Sequence, residues 1–156
     1  CGFILASPNV MQYVAKLIPP YPMPDCSSQI VLEALSDERV SVMQDATLDL
    51  VEVRNRFATQ LAKFDFIEQV YPSSTNFVLL KHKPEHQLFS VLAKNGIVTR
   101  NQHHEPALRN CIRISIGSKE SMDEVIASLN HYQKELRQRQ HTQNTEPQLQ
   151  LDKDHI

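Results

Sequence analysis

Between Pro19 and Pro24 the chain reads Pro-Pro-Tyr-Pro-Met-Pro. Four of these six residues lack a backbone N–H donor and hold φ near one value, so the stretch is neither regular helix nor an inner strand. It reads as a rigid connector between two packed units. A polyproline ligand for a partner is the weaker alternative. On its N-terminal side, Ser7-Pro8 followed by Val10, Met11, Val14, Ala15 and Leu17-Ile18 predicts a short helix with a serine N-cap and proline in its first turn.

On its C-terminal side the pattern changes twice. Ser27 to Leu35 predicts a second short helix, and Ser36-Asp37-Glu38 can cap a third. From there to Phe64 no Pro or Gly intervenes. Leu50, Arg54, Phe57, Ala58, Leu61 and Phe64 share one face at helical spacing, which makes this a long amphipathic helix. Val70 to Ser74 reads as a turn. Thr75 to Lys81 is apolar enough for a central strand. Pro84 opens a helix that Asn95-Gly96 closes, and Ile97 to Thr99 is a short strand. In Cys111-Ile112-Arg113-Ile114-Ser115-Ile116 three isoleucines alternate with other residues. That period of two is a strand with one apolar face, so Arg113 stands on the opposite face. Ser118 caps a last helix with the buried stripe Met122, Val125, Ile126, Leu129 and Leu136.

Helices followed by strand–helix–strand–strand–helix give an α/β chain: a small mixed sheet covered by helices, one of them long and amphipathic. With 156 residues, 41% hydrophobic and 22% charged, there is material for one real core. Beyond Arg137 glutamine dominates and little is apolar, so residues 138–156 read as a disordered tail.

Several function classes recede on composition alone. A formal charge of −2 without a basic stripe argues against nucleic acid as the main partner. No apolar run is long enough to span a membrane. The start, Cys1-Gly2-Phe3-Ile4-Leu5-Ala6, lacks the basic region of a signal peptide. It also opens on Cys rather than Met, as a processed chain or a piece of a longer one would. Cys1, Cys26 and Cys111 are far apart, which suits free thiols in the cytoplasm.

Catalytic groups are scarce. Three glycines, at positions 2, 96 and 117, cannot build a phosphate loop. His82, His86, His103 and His104 read as surface histidines, with no metal site among them. Ser73-Ser74 has no nucleophile frame, and Cys111 reads as a packed thiol. What remains is Arg113 together with Arg100. These two guanidinium groups on neighbouring strand-like segments could grip one phosphate or carboxylate, or could simply be solvated.

The ordered set Cys1-Gly2-Phe3 with Leu5-Ala6, Pro20-Tyr21-Pro22, Arg54, Ser74-Thr75-Asn76-Phe77, Gly96-Ile97 leading to Arg100, and Cys111 to Gly117 resembles the C-terminal part of the histidinol-phosphate aminotransferases. The likeness covers nearly all of the chain up to the last helix. It implies the small domain of a fold-type I pyridoxal-phosphate enzyme. Residues 1–22 would be the end of the large cofactor domain with its connector, 23–137 the small domain, and 138–156 the tail. It implies amino transfer between L-histidinol phosphate and 2-oxoglutarate, in histidine biosynthesis, by a cytoplasmic homodimer. Arg113 matches the family's substrate-anchoring arginine and Arg100 a second substrate-side arginine. The Schiff-base lysine of pyridoxal phosphate falls upstream of Cys1, so this chain has no catalytic residue of its own and by itself would be inactive. The same likeness extends to aspartate-type aminotransferases and threonine-phosphate decarboxylases, and a non-catalytic anion-binding relic is the remaining alternative.

Overall fold

A computed structural model describes residues 2–151, with side chains through residue 142. Among the described residues, five α-helices and four strands follow one another as α1 (Pro8–Val14), α2 (Asp25–Ala34), α3 (Asp37–Leu61), β1 (Ile67–Val70), β2 (Phe77–His82), α4 (Leu88–Lys94), β3 (Arg100–Asn101), β4 (Cys111–Ser115) and α5 (Lys119–Leu151). The chain divides into two compact units, Cys1–Thr47 and Leu48–Ile156. The division falls inside α3.

The first unit holds α1, α2 and the beginning of α3. Ser7 takes the N-cap position before Pro8, although its side chain makes no capping hydrogen bond, and α1 and α2 bury none of their residues. Residues 19–24 are irregular, as four prolines require, and Tyr21 takes a left-handed backbone with φ of 58°. That conformation is uncommon for an aromatic residue.

The second unit is a two-layer α/β structure. Its sheet has the order β1-β2-β4-β3. All three pairings are antiparallel, so the sheet is not mixed. The strand–helix–strand pattern does produce a parallel pair, β2 and β3, joined through α4. They are not neighbours, because β4 turns back from β3 and takes the place between them. β4 answers to its pattern: Ile112 and Ile114 face the core with Val78 and Leu80 of β2. Phe57 and Leu61 of α3, Leu88 and Leu92 of α4, and Met122, Val125 and Leu129 of α5 complete that core from one side of the sheet. Burying a side chain of this kind contributes about 1.5–3 kcal/mol, which is what holds the helices on the sheet.

Four elements depart from expectation. Residues 67–70 form an edge strand whose last residue, Val70, the sequence suggested as the start of a turn. A register shift between Ile67 and Gln69 lets Ile67 and Val70, three apart, pack against the same core. Such spacing does not look like a strand. The helix expected from Pro84 begins at Leu88, and the strand expected at Ile97–Thr99 is instead Arg100–Asn101. The Gln-rich segment read as a disordered tail instead carries α5 on as far as Leu151, since Gln, Glu and Arg favour helix even without an apolar stripe. Residues 152–156 lie outside the described residues. The end of α4 is as anticipated. Gly96, at φ 75°, donates to the Ala93 carbonyl, and Ile97 donates to that of Leu92 (both 3.0 Å), the paired bonds of a Schellman cap.

Candidate functional site

Strand alternation places Cys111, Arg113 and Ser115 on the sheet face away from the helices. The register then decides what Arg113 meets. Arg100 of β3 is its direct cross-strand partner, and Leu79 of β2 flanks it on the other side. The two arginines singled out in the sequence therefore stand side by side on one face. Arg113 is half-buried, and its guanidinium carbon lies 4.9 Å from the centre of the Phe77 ring. Its Nε is shielded from solvent without a hydrogen-bond partner among the described residues. Arg100 is exposed.

Several other basic side chains of this unit are paired with carboxylates. Arg56 meets Asp123 at 2.9 Å, Arg137 meets Asp65 at 3.1 Å, and Lys81 meets Glu68 at 3.1 Å. Among the described residues no carboxylate forms an ion pair with Arg100 or Arg113. Like charges directly opposite across two strands repel, at a cost of about 0.2–1 kcal/mol. Two adjacent forks with unclaimed donors are suited to a dianion such as a phosphate ester, or to a carboxylate.

Two features of the setting were not evident from the sequence. Phe77 supplies the flat surface under Arg113; the alternation of β2 could have shown it, since Phe77 and Leu79 share the arginine face. Arg54 donates to the Thr75 carbonyl at 3.1 Å, just before β2. Ser73 Oγ bonds the Phe77 carbonyl at 2.5 Å. Both tie down the turn that delivers Phe77.

Cys111 is buried, and burial pushes its thiol pKa up, so it is the packed thiol expected. Lys81 shares the arginine face, but Glu68 raises its pKa. His82 is not a surface residue: it is 7% exposed, and burial lowers its pKa. Its core-facing place at the end of β2 explains the difference. His86 is half-buried against Tyr132, with Nδ1 2.9 Å from the phenol oxygen. Among the described residues no group of three or more His, Cys, Asp or Glu could hold a metal ion, and no helix is long and apolar enough to cross a membrane.

The family model described as aminotransferase class I and II matches residues 1–129. Histidinol-phosphate aminotransferase of Blochmanniella floridana is 36% identical over 129 residues, covering 83% of this chain and 36% of that protein. The chain thus spans about a third of the length of the curated histidinol-phosphate aminotransferases it matches. Among solved structures, histidinol-phosphate aminotransferase from Clostridium acetobutylicum superposes with a TM-score of 0.70 at 20% identity, over 81% of this chain and 38% of that one. L-threonine-O-3-phosphate decarboxylase from Porphyromonas gingivalis does so at 0.64 and 19%, over 83% and 40%. At such identities these structures speak for the fold, which is the one the sequence implied.

Proposed function

The chain belongs to the class I and II aminotransferases, and on that premise we propose that it is the substrate-anchoring part of a histidinol-phosphate transaminase. The observation that carries this reading is the Arg100–Arg113 pair, directly opposed and without a carboxylate partner among the described residues. In this reading Arg113 grips the phosphate of L-histidinol phosphate in one half-reaction and a carboxylate of glutamate or 2-oxoglutarate in the other. A guanidinium fork accepts either anion through paired hydrogen bonds. Arg100 adds a second fork on the substrate side. Phe77 keeps Arg113 flat and oriented from below.

Enzymes of this family generally depend on pyridoxal phosphate, which supplies the electron sink for amino transfer. A Schiff-base lysine must be uncharged near neutral pH, which takes desolvation or neighbouring cations. The described lysines do not fit that need. Lys81 is held charged by Glu68, and Lys16, Lys63, Lys83, Lys94, Lys119 and Lys134 are exposed to water. The cofactor is therefore assigned to the remainder of a longer, cytoplasmic and homodimeric protein. In that scheme residues 1–22 end the cofactor domain and 23–137 form the small domain. Leu5, Leu17 and Tyr21, all strongly exposed, would then meet the remainder of the protein.

The test is kinetic, in the longer protein that carries these residues. Arg113→Ala removes a charge-assisted pair and should lower kcat/KM for L-histidinol phosphate on the order of a hundredfold. Arg100→Ala should weaken the phosphate substrate at least as much as glutamate. Unchanged kcat/KM in Arg113→Ala would remove the basis of the reading. The 156-residue chain by itself should show no transaminase activity.

A further inference from the structure

On the helix-covered side of the sheet, away from the two arginines, lies a cavity of about 250 Å³. The end of β2, the start of α4 and the β3–β4 connection border it, and it is open to solvent. His82 and His103 line it together with Asn101, Asn110, Gln87 and Phe89. No Asp, Glu, Lys or Arg is among its lining residues. Its lining is polar, with one aromatic wall.

The two imidazoles are held in opposite tautomers. His82 Nδ1 lies 2.8 Å from the Lys83 carbonyl oxygen. A carbonyl only accepts, so Nδ1 carries the proton and Nε2 keeps its lone pair. Burial favours the neutral ring at this position. In His103 the assignment reverses. Its Nδ1 accepts the Asn110 backbone N–H at 3.1 Å, so the ring proton sits on Nε2. Neither Nε2 has a hydrogen-bond partner among the described residues.

One residue ties the pair together. Asn110, in a left-handed backbone with φ of 61°, donates to His103 and accepts the His82 N–H at its carbonyl (2.9 Å). Asn101 Oδ1 accepts the backbone N–H of His103 at 2.9 Å, which fixes that residue from its other side. One acceptor and one donor are thus oriented before any ligand arrives, and such preorganisation lowers the cost of binding.

We propose that this cavity is a second ligand site, for a small neutral ring bearing an amide N–H beside its C=O. The ligand N–H donates to His82 Nε2, and its carbonyl accepts from His103 Nε2–H. The ring lies along Phe89, and the carboxamides of Asn101 and Gln87 meet further polar groups. The volume suits a single ring with small substituents.

The 156-residue chain is titrated with 2-pyridone, and in parallel with N-methyl-2-pyridone, by ligand-detected saturation-transfer NMR. The parent compound should bind with a Kd on the order of 1 mM. N-methylation removes the donor and should weaken binding by at least about fivefold. His103→Ala and Asn101→Ala are exposed positions that leave the core intact, and each should weaken 2-pyridone by a similar factor. Circular dichroism checks their fold. Equal binding of the two probes, undiminished binding in His103→Ala, or no binding to the wild-type chain up to about 50 mM probe each overturns the proposal. None of these outcomes bears on the arginine face, which lies on the other side of the sheet.

Discussion

Replacing Arg113 with methionine separates anion binding from stability. The methionine stem still covers Phe77, and its sulfur keeps a contact with the ring worth about 0.3–1.5 kcal/mol. The lost cation–π contact, 4.9 Å to the ring centre, is worth about 0.5–1 kcal/mol at a partly exposed site. Against this, the repulsion from Arg100 across the strand pair disappears, a gain of about 0.2–1 kcal/mol. The variant should therefore unfold within about 1 kcal/mol of wild type, with the comparison more favourable at low salt, where screening is weak. Phosphate should tell the two apart. At about 100 times Kd, a ligand that binds only the folded chain adds about 2.7 kcal/mol. Losing two charge-assisted bonds of about 1.5 kcal/mol each weakens phosphate about 150-fold and leaves about 0.3 kcal/mol of that effect. The assay is urea unfolding with phosphate, against chloride at matched ionic strength. A methionine variant that loses several kcal/mol in chloride, or that phosphate stabilises as fully as wild type, would refute the view that these arginines stand apart from the core and await an anion.

Three further outcomes follow from the packing. Leu61→Ala should cost about 2–5 kcal/mol in urea unfolding, because Leu61 is fully buried between α3 and the sheet; a cost below about 1 kcal/mol would mean the core packs otherwise. Ser118→Ala should cost about 1 kcal/mol, since Ser118 Oγ accepts the Ser121 N–H at 3.2 Å as the N-cap of α5; an unchanged midpoint would deny the cap. His82 sets a pH dependence. Its folded pKa lies below the ordinary 6.5, so the stability it contributes is present above pH 6.5 and is lost as pH falls through the folded value. His82→Gln should flatten that acid limb, and an acid limb as steep as that of wild type would assign it to other groups.

The sequence was most informative where one local pattern and the tertiary structure demanded the same thing. In β4, alternation alone placed Ile112 and Ile114 inward and Arg113 outward. In α3, the spacing of Phe57, Leu61 and their neighbours marked the face that is buried. Gly96 gave the helix stop because few other residues take its positive φ so readily. Pairing was less visible. β1 is four residues long and bulged, so its two core contacts fall at a spacing that mimics a helix. β3 is two residues long and exists because β4 pairs with it, not because Arg100-Asn101 favours a strand. Its neighbours Ile97 to Thr99 look more strand-like and are not. The burial of His82 was hidden for a similar reason. It occupies the last core-facing place of β2, and its hydrogen bond to the Lys83 carbonyl lets an imidazole sit there.

The arginine pair is a product of register, and register is set by the core. Arg113 meets Arg100 because Ile112 meets Asn101 and Leu80. A slip of one residue in β4 would turn Ile112 and Ile114 out to water and drive Arg113 under the helices. Removing two isoleucines from a core costs several kcal/mol on the scale of about 1.5–3 kcal/mol each, before any charge on Arg113 is counted. The repulsion between the arginines is about 1 kcal/mol or less and cannot compete with that. The apolar face of β4 can thus hold two like charges together on its other face, in a geometry that side-chain electrostatics alone would not choose. An anion that enters finds the pair already assembled, and the cost of bringing the two charges together has been met by folding. On this reasoning, changes to Ile112 or Ile114 should weaken anion binding through register even though neither side chain reaches the arginine face. Changes of equal size at Leu48, exposed and remote from the sheet pairing, should not.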